Sequence, residues 1–454
     1  MAQKLTTRNV TEGVIWEQLL SFFFPILLGT FFQQMYNTVD TIVVGRFVGT
    51  RALAAVGAAT PLISLLNGFF IGLSSGATVL ISQFFGASDR KGVCKALHTG
   101  ITLALVLGLT ISLLGVTLSP WILRLTRVPG DCLADSVRYT RIYFLGAVAS
   151  MLYNMGSGIL RAMGDSRRPT LFLIVTCFTN IALDILCVVF LGMGVAGAAI
   201  ATILSQAVSA VLVLTVLRKL PEDIALGSGK LGLEKPLMKQ ILFIGVPAGL
   251  QFMTFDLANL LVQSGINSFG TATAAAFTAY AKADGLTWMI SGAFGVSITT
   301  FVGQNFGARK YDRIRKGVWV CLGMSMVLEG FLSALIVVLR STILGIFSPD
   351  PEVIALGARI MLWTVPFNCI FMPTEVFGGA MRGVGYSIVP TAITSVCVCL
   401  FRVLWLFTAV AKFHFLEVLV LCYPISWILA AIVFLVTYLR GNWLRSRIPE
   451  ADTL

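Results

Sequence analysis

Charge is what this chain has least of. Only 12% of its 454 residues are Asp, Glu, Lys or Arg, about half the share of a soluble domain. No segment is polar enough, for long enough, to form a separate soluble domain. Histidine is nearly absent: His98 and His414 stand far apart, so no metal centre is suggested. Nine cysteines, an odd number, fall mostly in apolar stretches and form no C-x-x-C, as small buried hydrophobes do. There is no Walker A sequence, which excludes ATP as the energy source of this chain. Nor is there an H-E-x-x-H or a G-x-G-D, so a metalloprotease or an intramembrane aspartyl protease is a remote alternative. "GMGVAG" (192–197) fits G-x-G-x-x-G but has no preceding strand, and reads as a tight external turn.

What fills the chain instead is hydrophobicity: 57% of residues, with a mean hydropathy of +0.89. Apolar windows long enough to span a bilayer recur over 17–45, 54–84, 93–118, 136–160, 169–191, 197–217, 240–268, 276–302, 316–338, 354–377, 388–411 and 416–439. The spacing predicts an all-α membrane protein of 12 transmembrane helices. The first window is too long for a signal h-region and lacks an A-x-A exit, so it is expected in the mature protein. With the N-terminus inside, roughly two thirds of the 33 Lys and Arg residues fall in cytoplasmic segments, as the positive-inside rule requires. Both termini are therefore expected in the cytoplasm. The net charge of +12 reads as topology and lipid contact. It does not read as a nucleic-acid surface, because the basic residues are scattered over short loops.

The chain repeats at an offset of 221. "QFFGA" (83–87) returns as "QNFGA" (304–308), "GTRALAA" (49–55) as "GTATAAA" (270–276), and "GILRAMGDSRRPT" (158–170) as "GAMRGVGYSIVPT" (379–391). Pro25 pairs with Pro247 one residue out of phase. Each half holds six spans, so both halves start inside and form a parallel repeat. Transporters so built place substrate between the halves. The expected division is an N-terminal lobe (1–217), a cytoplasmic linker (218–239) and a C-terminal lobe (240–454).

Polar residues inside the spans mark the candidate site, because a carboxylate at mid-membrane costs about 2.5–3.5 kcal/mol on insertion scales. At 1.5 Å per residue, Asp40 on span 1 lies about 9 Å below its outer end and Asp184 on span 5 about 10 Å deep. Asn180 is one turn lower on the same face, and Thr202 on span 6 is about 8 Å down. Two carboxylates, an amide and a hydroxyl from three helices thus share one depth. That donor set suits a small cation; a polar packing network is the alternative reading. Burial and a neighbouring carboxylate both penalise charge, so such a pair can hold a proton and release it to an arriving cation. Pro25 removes a backbone hydrogen bond from span 1 and permits a bend or a fixed kink.

Three pieces, with the duplicated twelve-span plan, carry a resemblance to a known family. They are Pro25 with "QQMYNTVDTIVVGRFVG" (33–49), "SSGATVLISQFFGA" (74–87), and the R-x-x-G-D/Y-S turns after spans 4 and 10. The chain resembles, over nearly its whole length, the multidrug and toxic compound extrusion antiporters, in the prokaryotic branch with a Pro and an Asp in the first helix. The resemblance implies two six-helix lobes forming a V-shaped cleft, and export of amphipathic, often cationic, organic molecules in exchange for H⁺ or Na⁺. It implies no cofactor, a monomer, and a multi-pass protein of the bacterial cytoplasmic membrane. It assigns coupling to Asp40, Asn180, Asp184 and Thr202, with Asn154 beside them and no certain metal site, and bending of the first helix to Pro25. Gln33, Gln34, Tyr36 and Asn37 are candidate cleft residues in the first half, and Thr41 polarises the same span.

In the second half, Phe401 and Trp405 stand 221 residues beyond Asn180 and Asp184, so no acidic copy of the site is expected there. Asp256, Lys282 and Glu329 are candidate cleft residues; internal pairing with Arg402 or Lys282 is the competing reading for the acids. Glu375 is a weaker candidate. Trp288 and Phe294 could offer ring faces to a cationic cargo. A lipid-linked oligosaccharide flippase of the same superfamily is the alternative transporter. It would be expected to carry a strongly basic cavity, which the sequence does not show.

Overall fold

A computed structural model describes residues 10–126, 128–227, 232–440 and 443–444. Residues 228–231 of the expected linker, and both chain ends, lie outside the described residues. The described residues form helices with no strand. In chain order these are α1 (Ile15–Val48), α2 (Thr50–Gly86), α3 (Arg90–Leu125), α4 (Gly130–Leu145), α5 (Ala147–Ala162), α6 (Arg167–Phe190) and α7 (Gly194–Arg218). They continue as α8 (Lys235–Asn267), α9 (Thr271–Gly307), α10 (Tyr311–Val338), the short α11 (Arg340–Phe347), α12 (Pro351–Gly383), α13 (Ile388–Val410) and α14 (Leu416–Arg440).

Eleven of these are long and apolar enough to cross a membrane, and the bent pair α4–α5 makes a twelfth. The chain is a multi-pass membrane protein. Leu113, Trp121, Phe190 and Val327 stand 64–77% exposed, as lipid-facing side chains do where no water competes. The fourth span, expected over 136–160, is formed by two helices, Gly130–Leu145 and Ala147–Ala162. It bends by 45° at Gly146, where α7 comes so close that a Cβ would lie 2.4 Å from Ile203. Only glycine fits there.

The chain divides into two compact units. Unit 1 contains Phe24–Gly249; unit 2 contains Thr11–Phe23 and everything from Leu250. Helix α1 therefore begins in unit 2 and continues in unit 1, changing at Phe23, two residues before Pro25. Helix α8 does the reverse, changing at Gly249, two residues after Pro247.

Within unit 1 the core is built from α2, α3, α5 and α7, around Leu73, Leu97, Met151, Ile159 and Val213. The first part of α8 joins it by backbone contact: a Cβ on Gly72 would lie 2.2 Å from the Gly249 nitrogen, and one on Gly76 would lie 2.2 Å from the Ile241 carbonyl. Small residues one turn apart permit this approach where lipid gives no hydrophobic drive to association. The linker docks on α3. Asp223 pairs with Arg90 at 2.5 Å and Glu234 with Lys95 at 3.1 Å. The Gly227 amide donates to His98 Nε2 at 3.1 Å, so Nδ1 carries the proton and donates to the Cys94 carbonyl. The Arg90 guanidinium holds the Asp223 carboxyl below its ordinary range.

The repeat is visible in the backbone. Left-handed residues recur 221 apart at Gly49 and Gly270, Ser88 and Arg309, and Gly164 and Gly385. The phase changes at π-helical turns, each of which can absorb one extra residue. Pro25 and Pro247 differ by 222, and α1 has a π segment (Val44–Val48) where α8 has none. Farther on, the N-caps Ser166 and Ser387 differ by 221, whereas α7 and α14 start and end 222 apart. Between them α6 has one π segment (Ile185–Phe190), and α13 has two (Ser395–Leu400 and Leu406–Val410). The added segment precedes Arg402. The counterparts of Asn180 and Asp184 are therefore Arg402 and Leu406, one residue beyond the Phe401 and Trp405 expected from a constant offset.

Candidate functional site

Helix α1 lies along α6, and both run in the same direction. The Thr170 hydroxyl donates to the Pro25 carbonyl at 2.6 Å, Gly29 faces Leu173, and Phe32 packs on Phe178 with centroids 6.2 Å apart. Partner positions along the pair differ by about 145 residues throughout, and Asp40 and Asp184 continue the series. They are close enough to interact electrostatically with each other and with Tyr139 of α4.

The surroundings are dry and apolar. Val43, Val44, Val188, Val195, Ala198 and Ala199 form a buried cluster with Tyr139. Asp40 is 9% exposed, and Asn180 and Asp184 are fully buried. Asp40 Oδ1, both Asp184 oxygens and both Asn180 amide atoms have no hydrogen-bond partner. An unsatisfied buried polar atom costs about 1–3 kcal/mol. Five such atoms on one helix pair make a poor packing network. Four of the five are oxygens, the donor type that a small cation takes.

The remaining candidates are less directly involved. Thr202 is buried on α7, and its hydroxyl donates to Ala198 of the same helix at 3.0 Å; its oxygen retains a lone pair. Asn154 is half-buried, and its amide donates to the Ser150 carbonyl at 2.9 Å. Tyr36, one turn before Asp40, is buried and accepts from Gln206 of α7 at 3.2 Å. Gln33 is half-buried, and Gln34 and Asn37 are exposed and bonded to each other at 3.5 Å. Tyr139 escaped sequence reasoning. Its signal was a second tyrosine, Tyr143, one turn on along the same face of span 4.

In unit 2 Asp284 and Glu329 are also close enough to interact electrostatically, but their surroundings differ. Asp284 of α9 is buried and accepts from Asn368 Nδ2 (2.7 Å), Trp288 Nε1 (2.8 Å), Thr287 Oγ1 (3.1 Å) and Tyr280 OH (3.3 Å). Its hydrogen-bonding capacity is filled. Glu329 of α10 is fully buried, and neither carboxylate oxygen has a partner. Asp256 is half-buried and Lys282 exposed. Glu375 sits 3.9 Å from Arg382. Arg402 bonds Asn259 and Ser426 at 2.9 and 3.1 Å rather than an acid. Phe294 is spent on stacking with Phe23 at 4.3 Å. Among the described residues no group of three or more His, Cys, Asp or Glu could hold a metal ion.

Comparison with known proteins agrees with this duplicated plan. The family model MatE matches twice, over residues 25–186 and 247–408. Their starts and ends both lie 222 apart, the register that places Arg402 opposite Asn180. A probable multidrug resistance protein of Bacillus subtilis, YoeA, is 29% identical over 401 residues, covering 86% of each chain. A probable multidrug resistance protein of Thermotoga maritima, NorM, is 26% identical over 444 residues, covering 94% of this chain and 93% of that one. Among solved structures, an outward-facing multidrug resistance MATE family transporter superposes with a TM-score of 0.90 at 22% identity. The match covers 98% of this chain and all of the other, and shows a shared fold.

Proposed function

The chain belongs to the MatE family, and from that premise we propose that it is a multidrug efflux transporter, not an enzyme, that exports amphipathic and often cationic organic molecules in exchange for H⁺ or Na⁺. The observation that carries the coupling half of this reading is the set of unpartnered buried oxygens on Asp40, Asn180 and Asp184. Deprotonated, the two carboxylates would demand a cation. Protonated, they are compatible with the apolar cluster around them. Exchange between these states is what a coupling site needs, and Thr202 and Asn180 supply neutral oxygens to the cation-loaded form.

Movement would be gated by α1. Its Pro25 leaves one backbone carbonyl without the usual helical donor, while the Pro25 carbonyl itself is held by Thr170 of α6, the helix that carries Asp184. Changes at the carboxylate pair would thereby reach the bend point along both helices. Alternating access would use the lobes 1–217 and 240–454, joined by the cytoplasmic linker 218–239, with both termini inside. Gln33 and Asn37 polarise α1 on the same side as Asp40, with Gln34 turned off that face, and suit the cargo. Asp256, Lys282 and Glu329 would contribute from the second half. The test is uptake of an organic cation into proteoliposomes with H⁺ and Na⁺ gradients imposed separately. Uptake driven by one or both supports the reading; uptake indifferent to both overturns it.

A further inference from the structure

Unit 2 contains a buried cation with no anion to match it. Arg402 is 0% exposed, inside a membrane-spanning helix. Its Nε donates to Ser426 Oγ and its Nη1 to Asn259 Oδ1. Both partners are neutral. Ring faces of Tyr423, Phe255 and Trp427 stand 4.4, 5.4 and 6.0 Å from the guanidinium carbon. Nη2 has no acceptor, and neither has the indole Nε1 of Trp427, itself 1% exposed. Among the described residues no carboxylate lies within ion-pair distance of Arg402, Asp256 on α8 included. Charges at membrane depth are as a rule paired or functional.

The repeat supplies an independent reason. In the 222 register Asn259 stands where α1 has Asn37, and Arg402 where α6 has Asn180. Val262 replaces Asp40, and Leu406 replaces Asp184. Unit 1 has four unpartnered buried oxygens and one amide nitrogen on this helix pair. Unit 2, on the corresponding helices and on α14, has buried donors without acceptors. The polarity of the site is inverted.

We propose that unit 2 contains an anion subsite centred on Arg402 that takes the carboxylate of an aromatic organic acid. With Nε and Nη1 already engaged, one guanidinium nitrogen is open, which fits a single oxygen of a monoanion. It does not suit the bidentate grip or the double charge of a phosphate. Phe255, Tyr423 and Trp427 offer the ring of such an acid edge and face contacts. Asn259 and Ser426 fix the guanidinium, so little is lost in ordering it on binding. The subsite rests on the reading of the chain as an organic-ion exporter but can fail independently of it.

The test is equilibrium binding of radiolabelled 1-naphthoate to the purified full-length protein in nanodiscs, with tetraphenylphosphonium as a separate cation probe. Saturable naphthoate binding is expected, weakened about tenfold or more by Arg402→Gln and less by Arg402→Lys. Asn259→Asp places a carboxylate on the guanidinium and should compete the naphthoate off. Trp427→Phe keeps the ring, removes the indole donor and should weaken binding about threefold to tenfold. Tetraphenylphosphonium affinity should stay within about twofold in all four variants. Absence of saturable naphthoate binding to the native protein overturns the subsite. So does unchanged affinity in folded Asn259→Asp and Trp427→Phe protein, which would leave Arg402 as a helix latch. Failure of the native protein to bind tetraphenylphosphonium counts against the transport reading instead.

Discussion

Asp40 of α1 and Asp184 of α6 share one apolar enclosure, close enough to interact electrostatically, with three of their four carboxylate oxygens buried and unpartnered. Two such groups titrate as a unit rather than as separate residues. Asp40→Asn and Asp184→Asn keep size and hydrogen-bonding capacity while removing the charge cycle. Each single variant should reach the membrane and lose about tenfold or more of gradient-driven efflux. The double variant should be no more than about twofold worse than either single, because effects within one functional unit do not add. Efflux assays at matched expression decide this. Near-normal efflux in both singles would make the pair a packing feature.

The same argument ranks the two halves. Asp256 is half-buried and belongs to no comparable cluster, so Asp256→Asn should impair cation-driven transport less than Asp40→Asn. A reversed order in matched drug-resistance assays would place coupling in the second half.

Packing of α2 on α8 allows a stability prediction remote from the chemistry. Gly76→Ala would put a methyl 2.2 Å from the Ile241 carbonyl, backbone against backbone. Overpacking of this kind costs about 1–3 kcal/mol and should lower the melting temperature in detergent. Gly285→Ala, in open space on α9, should leave it unchanged or slightly raised.

Acid should loosen the linker. Its hydrogen bond from Arg90 depresses the Asp223 carboxyl. The contribution is therefore present above the unfolded aspartate value of about 3.9 and is lost as pH falls through the lower folded value. Amide exchange over residues 219–227 should be flat from neutral pH down to about 4 once corrected for intrinsic rates, and rise below that. In Asp223→Asn the exchange should already be faster at neutral pH and show no such rise.

Topology is open to labelling. In a cysteine-free background, Glu222→Cys should react with an impermeant maleimide only from the cytoplasmic side, and Ser348→Cys only from outside. The opposite pattern would invert the orientation read from the basic residues.

Much of this was legible in the sequence because membrane burial makes polarity conspicuous. Asp40, Asn180 and Asp184 stand out in apolar spans, and their shared depth follows from helical rise alone. The spans and the duplication were legible for the same reason. What escaped depends on contacts no periodicity reports. The bend lies at Gly146, where Ile203 of another helix comes close. The two phase changes come from π turns, which leave no hydrophobic signature, so a constant offset put Phe401 where Arg402 stands. Tyr139 was missed because an aromatic residue in a span is ordinarily packing. Asn154 has its amide donating to its own helix, an orientation that only rotamer and neighbours decide.

The central claim is that the Asp40–Asp184 pair holds the coupling cation and gives it up when cargo binds. Its most direct test is release of protons, or of Na⁺ from Na⁺-loaded protein, when an organic cation is added to purified protein in weakly buffered solution. Release on the order of one cation per protein is expected from the native chain, and none from Asp40→Asn or Asp184→Asn protein that still binds the drug. Equal release from the variants and the native chain would contradict the assignment.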